Sequence, residues 1–103
     1  MELDLKGKTA FVTGGTRGLG RAICFALAAE GVNLAVNYRN DEHMAKSLTA
    51  ELMDKFGVKA ITVFGDVSSE DQVHNMFDET VSHFAEIDIL VNNAGICPVN
   101  MIK

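Results

Sequence analysis

Apolar residues follow two alternating rhythms along this chain. Short runs, Thr9–Thr13, Asn33–Asn37, Ala60–Phe64 and Ile87–Asn92, are dense in Val, Ile, Leu, Phe and Ala. Runs of this length predict buried strands. The stretches between them place apolar residues at helical spacing. Leu19, Ile23 and Leu27 mark one face of a helix from about Arg17 to Glu30, which Gly31 stops. Asn40 is the expected N-cap of a second helix with Met44, Leu48, Leu52 and Phe56 on one face, stopped by Gly57. Ser69-Glu-Asp-Gln72 fits the capping box of a third helix, expected to bury Val73, Met76, Phe77, Val81 and Phe84.

Strands separated by helices of ten or more residues imply right-handed crossovers and a parallel sheet. The expected fold is α/β, a Rossmann-type doubly wound sheet cut after its fourth strand, with spatial order 3-2-1-4. Ligands of such sheets bind beyond the carboxyl ends of the strands, where the winding reverses. Here that point lies between strands one and four. The two unusual motifs of the chain, a glycine-rich turn after strand one and Asn92-Asn-Ala-Gly95 after strand four, both fall there.

Composition narrows the function classes. In 103 residues, 48% are hydrophobic and 22% charged, which describes a single globular unit. A net charge of -5 argues against a nucleic-acid partner. No apolar run reaches membrane-spanning length, and Met1–Lys8 has no signal-peptide pattern, so a cytoplasmic protein is expected. Cys24 and Cys97 are then reduced thiols, Cys24 as a small buried hydrophobe. His43, His74 and His83 lack zinc-ligand spacing and read as solvated surface residues.

The turn itself, Thr13-Gly-Gly-Thr-Arg-Gly-Leu-Gly20, joins a strand to a helix, the arrangement in which unpaired helix-start N–H groups meet an anion. It fails the G-x-G-x-x-G fingerprint, because Ile23 occupies the third glycine position. It fails the P-loop, because Arg21 and Ala22 replace Lys and Ser/Thr. It fits T-G-x-x-x-G-x-G throughout. With Gly65-Asp66-Val67 after strand three and Asn92-Asn-Ala-Gly95 after strand four, the chain from Leu5 onward resembles the short-chain dehydrogenase/reductase family. Its opening, the Val36–Arg39 segment and Asn92–Ile96 look most like 3-oxoacyl-acyl-carrier-protein reductases and related sugar or alcohol dehydrogenases.

The resemblance implies a nicotinamide dinucleotide as ligand and a role for each matching position. Gly14, Gly15, Thr16, Arg17, Gly18, Leu19 and Gly20 would cradle the pyrophosphate. Asp66 would accept from the adenine amino group beside the Val67 backbone, the competing role being a helix-start acid. Asn93, Ala94 and Gly95 would pass the ribose and nicotinamide, and Asn92 would tie strand four to its neighbour. NAD readers hold the ribose 2′-hydroxyl with an acid at the end of strand two. Here that position is Asn37, followed by Tyr38 and Arg39, with no carboxylate before Asp41. Arg39 and Arg17 suit a 2′-phosphate, so NADP is expected over NAD.

The family's catalytic Ser and Tyr-x-x-x-Lys have no counterpart here. The one tyrosine, Tyr38, is followed four residues on by Glu42. No residue of this chain is therefore nominated as catalytic. The sequence reads as the N-terminal part, residues 1–103, of one NAD(P)-binding Rossmann domain, inactive in hydride transfer alone. A truncated frame or fragment is expected, with strand four as an exposed apolar edge. The helices that give complete family members their usual homo-oligomers are absent from this sequence. The alternative is a stand-alone, non-catalytic NADP-binding or partner-binding module. A receiver-type regulator is a third reading, but Thr13-Gly14 stands where its acidic pair belongs.

Overall fold

A computed structural model describes residues 4–93. The chain runs β1 (Thr9–Thr13), α1 (Gly18–Ala29), β2 (Asn33–Tyr38), α2 (Glu42–Phe56), β3 (Ala60–Phe64), α3 (Glu70–Phe84) and β4 (Ile89–Asn92). The four strands form one parallel sheet in the order β3-β2-β1-β4, as the alternation of rhythms requires. Val12 stands opposite both Val36 of β2 and Val91 of β4. All five residues of β1 are buried, because β1 lies between two strands and under helices on both faces.

The pleat sorts successive residues to opposite faces. Ala10, Val12, Leu34 and Val36 pack with Cys24, Ala28, Leu48 and Leu52 of α1 and α2. Phe11, Ala35 and Val63 pack with Val73 and Met76 of α3. Phe11 meets Phe77 edge to face at 4.9 Å. No helix among the described residues is long and apolar enough to cross a membrane.

The helix faces differ in instructive ways from the sequence expectation. On α1 the buried line is Gly20, Cys24 and Ala28, one residue along from Leu19, Ile23 and Leu27. Leu19 is 68% exposed. A helix that lies close on a sheet needs small residues along its contact line, and the larger side chains flank it. On α2, Leu48 and Leu52 are buried with Ala45 and Thr49, whereas Met44 is exposed. The N-cap position of α2 is Asp41 rather than Asn40. On α3, Val73 and Met76 are buried, Phe77 and Phe84 are half-buried, and Val81 is 42% exposed. Thr80 is buried in its place, its hydroxyl satisfied by the Met76 carbonyl at 2.8 Å.

Ser69 caps α3 as expected, accepting from the Gln72 N–H at 3.3 Å. The box is not reciprocal, because the Gln72 side chain accepts from the Asp66 N–H at 2.8 Å instead. β4 begins at Ile89 rather than Ile87, and the Asp88 carboxylate accepts from the Thr9 N–H at 2.8 Å. β4 is an edge of the described sheet, with Ile89, Leu90 and Val91 half-buried.

Chemical denaturation reads out the corrected helix faces. Leu52→Ala, at a fully buried position, lowers the unfolding free energy by about 2–5 kcal/mol. Leu19→Ala changes it by less than about 0.5 kcal/mol.

Candidate dinucleotide-binding cleft

Because β1, β2 and β3 are parallel, their carboxyl ends share one edge of the sheet. Three turns leave that edge: Gly14–Arg17, Arg39–Asp41 and Gly65–Ser69. Together they border an open cleft of about 400 Å³. Of the residues expected at the ligand, Gly14, Thr16, Asn37, Tyr38, Arg39, Asp66 and Val67 line it. Arg17, Gly18, Leu19 and Gly20 follow at the start of α1, and Gly15 lies beneath, buried. Ala94 and Gly95 lie outside the described residues, as does Cys97.

The β1–α1 turn is held by glycine at two kinds of position. Gly14 and Gly18 adopt φ of 61° and 60°, a conformation that favours glycine. At Gly20 the requirement is space, since a Cβ there would lie 2.2 Å from the Gly14 carbonyl oxygen and 2.7 Å from Asn93 Nδ2. The helix start is thereby pulled against the turn. Arg17, at the N-cap position, has extended backbone and supplies no side-chain cap, and the first turn of α1 contains no acidic residue. That leaves a helix N-terminus suited to a negative ligand.

The end of β4 is strapped to the same turn. Asn93 Nδ2 donates to the Gly14 carbonyl at 3.1 Å, and the Asn93 N–H donates to Thr13 Oγ1 at 2.8 Å. Thr13 Oγ1 also lies 3.3 Å from Asn92 Oδ1, the tie between β4 and its neighbour expected of Asn92. Asn93 itself, assigned from sequence to the ribose and nicotinamide, spends its side-chain amide on the turn.

At the end of β2 the chain passes from buried to exposed along the cleft wall. Asn37 is only 3% exposed. Its Nδ2 donates to the carbonyls of Gly65 at 3.1 Å and Val63 at 3.2 Å, so its amide fastens β2 to β3. Tyr38 and Arg39, which follow Asn37, are the more exposed side chains on this wall of the cleft. The Tyr38 ring leans on Phe64 at 5.6 Å between centroids. Its phenol is pushed above its usual range by desolvation and by the nearby Glu42 carboxylate, so it stays protonated near neutrality.

Charges in the cleft come as pairs. Arg17 Nη2 pairs with Asp41 Oδ2, joining the glycine turn to the start of α2. Arg39 Nη2 lies 3.5 Å from Asp66 Oδ2, joining the ends of β2 and β3. Asp66 Oδ1 accepts from the Ser68 N–H at 2.9 Å and from Ser68 Oγ at 2.7 Å. These bonds, with Arg39, hold its carboxyl below the ordinary carboxylate range. Sequence reasoning missed Asp41 and Ser68 as cleft residues. The Asp-x-Ser spacing at 66–68 was a readable turn signal, whereas nothing local in the sequence marks Asp41, whose partner Arg17 the fold brings to it.

Cys24 lies beneath the turn, fully buried, its thiol pushed up to about 12 by desolvation against a small opposing pull from Arg21. His43, His74 and His83 are exposed, and the described residues contain no metal-binding cluster of His, Cys, Asp and Glu.

Two pH effects follow. Asp66 has a depressed folded pKa, so its stabilisation is present above the unfolded value, near 3.8, and is lost as pH falls through the folded value. Asp66→Asn is therefore less stable than the parent at pH 7 in urea unfolding, and the gap narrows as pH falls below about 3.8. Cys24 has a raised folded pKa, so its neutral thiol favours folding fully below about 9, an advantage lost as pH rises toward about 12. Peptide-resolved alkylation at pH 8 finds Cys24 protected in the native protein and reactive in urea.

Comparison with known proteins agrees with this geometry. The family model described as short chain dehydrogenase matches residues 8–103. The 3-oxoacyl-(acyl-carrier-protein) reductase FabG of Staphylococcus epidermidis is 43% identical over 95 residues, covering 92% of this chain and 38% of that protein. The 3beta-hydroxysteroid dehydrogenase 1 of Eggerthella lenta is 45% identical over 93 residues, covering 90% of this chain and 35% of that protein. The crystal structure of a short chain dehydrogenase from Burkholderia cenocepacia in complex with NADP superposes with a TM-score of 0.83 at 40% identity, over 91% of this chain and 38% of that one. The chain thus spans less than two fifths of the length of these relatives. Its glycine turn, its sheet order and a family match that runs from β1 to the last residue make this chain a member of the short-chain dehydrogenase family.

Proposed function

We propose that this chain is the cofactor-binding half of an NADP-dependent short-chain oxidoreductase. The observation that carries the cofactor choice is the end of β2. Asn37 is buried, Arg39 lines the cleft, and Arg17 reaches its border through Asp41, a lining residue with which it pairs. A guanidinium meets a phosphate with a planar set of donors, and two of them match a dianion better than a hydroxyl. The NADP bound in the Burkholderia cenocepacia relative supports the same reading.

The cradle fits a dinucleotide. The space left by the missing Cβ of Gly20 lets the backbone close up, and the start of α1 just beyond the lining residue Thr16 has no side-chain cap. The turn from Gly14 to Gly20 would hold the pyrophosphate, Tyr38 and Arg39 the 2′-phosphorylated ribose, and Asp66 and Val67 the adenine. When bound, the nicotinamide exchanges a hydride with a carbonyl or alcohol. This chain's residues bind and orient, and none holds the reacting proton, since Tyr38 is its one tyrosine and sits with the adenosine-side residues. The favoured substrate is a 3-oxoacyl group on acyl carrier protein, supported by the Staphylococcus epidermidis relative. A cytoplasmic location belongs to the same proposal.

Fluorescence titration of the full-length protein tests the cofactor reading. NADPH binds at least tenfold more tightly than NADH. Arg39→Gln weakens NADPH by about tenfold and leaves NADH within twofold, the scale of one charge-assisted contact. Equal affinity for the two cofactors overturns the reading.

A further inference from the structure

Resting on that NADP reading, we propose that Asp41 is a specificity-setting residue. Its carboxylate holds Arg17 at the cleft border and tempers the preference for a 2′-phosphorylated dinucleotide.

Asp41 stands at the N-cap position of α2, where an aspartate ordinarily accepts from the helix's own N–H groups. It makes no such side-chain bond here. Its Oδ2 pairs instead with Arg17 Nη2, 24 residues away in sequence, across the mouth between the glycine turn and α2. Asp41 also lines the cleft wall beside Tyr38 and Arg39.

The charges around the cleft therefore balance. Arg17 faces Asp41, Arg39 faces Asp66, and Glu42 beside Tyr38 is paired with Lys46 at 3.2 Å. A phosphate monoester carries about -1.5 to -2 charges near neutrality. It gains the full attraction of Arg17 only by taking that guanidinium from Asp41, and it meets Asp41 as a like charge afterwards. The Arg17–Asp41 pair is exposed and correspondingly weak, so the phosphate prevails at a reduced affinity. A dinucleotide with a plain 2′-hydroxyl has no reason to displace the pair and is indifferent to it.

Asp41→Asn isolates the charge, because asparagine is as good an N-cap as aspartate. The test is the affinity of the full-length protein for NADPH, NADH and 2′,5′-ADP at low and high salt. Variants are Asp41→Asn, Arg17→Gln and the double variant, each with its melting temperature. Asp41→Asn tightens NADPH and 2′,5′-ADP by about two- to fivefold at low salt, less at high salt, and leaves NADH unchanged. In the Arg17→Gln background most of that gain disappears, the coupling that a shared partner requires. Unchanged NADPH affinity in Asp41→Asn overturns the proposal, as does a gain that persists undiminished without Arg17. A selective loss of NADH affinity overturns it too, assigning Asp41 to the ribose hydroxyl. A parent protein that binds NADPH and NADH alike points elsewhere, to failure of the NADP reading itself.

Discussion

The close approach of α1 to the turn that precedes it is the constraint on which the rest of the site depends. Gly20 lies so near the Gly14 carbonyl that a single added carbon would stand 2.2 Å from it. The same carbonyl accepts from Asn93, which brings the end of β4 to the turn. One backbone oxygen thus joins the first strand, the first helix and the fourth strand. Cys24 and Ala28, one and two turns further along α1, continue the line of small residues that lets the helix settle on β1 and β2. A larger residue anywhere on that line lifts α1 from the sheet and moves its N-terminus away from the cleft.

The second level of organisation is the pleat. At the end of β2 it buries Asn37, whose amide bonds the carbonyls of Val63 and Gly65, and the more exposed Tyr38 and Arg39 follow along the cleft wall. The same inward amide sets the path of the chain into the Gly65–Ser69 turn, where Ser68 and Arg39 hold the Asp66 carboxylate ionised. Reading and framing are thus divided between neighbours in sequence. Residues that turn inward fix the walls, and residues that turn outward carry the charges.

The elements and their order were legible because strand and helix rhythms alternate without interruption from Thr9 to Asn92. The glycine turn was legible because each glycine answers a backbone requirement. What the residue pattern did not disclose was the rotation of α1. Leu19, Ile23 and Leu27 make the more apolar stripe, but contact with a sheet selects for small size, and that stripe was one residue off. Val81 was misplaced for a related reason. Thr80 can be buried because its hydroxyl bonds the preceding turn of its own helix, a saving invisible to a count of apolar residues. The ion pairs of the cleft were equally hidden. Arg17 and Asp41 come together only after two crossovers, and nothing local in the sequence marks Asp41 as the partner.

The contact between Gly14 and Gly20 is tested most directly by Gly20→Ala in the full-length protein, with NADPH affinity measured alongside far-ultraviolet circular dichroism. The account predicts that helix content is retained while NADPH affinity falls at least tenfold, because the displaced turn no longer presents the start of α1 to the pyrophosphate of the proposed cofactor. A folded Gly20→Ala protein that binds NADPH as tightly as the parent would contradict it.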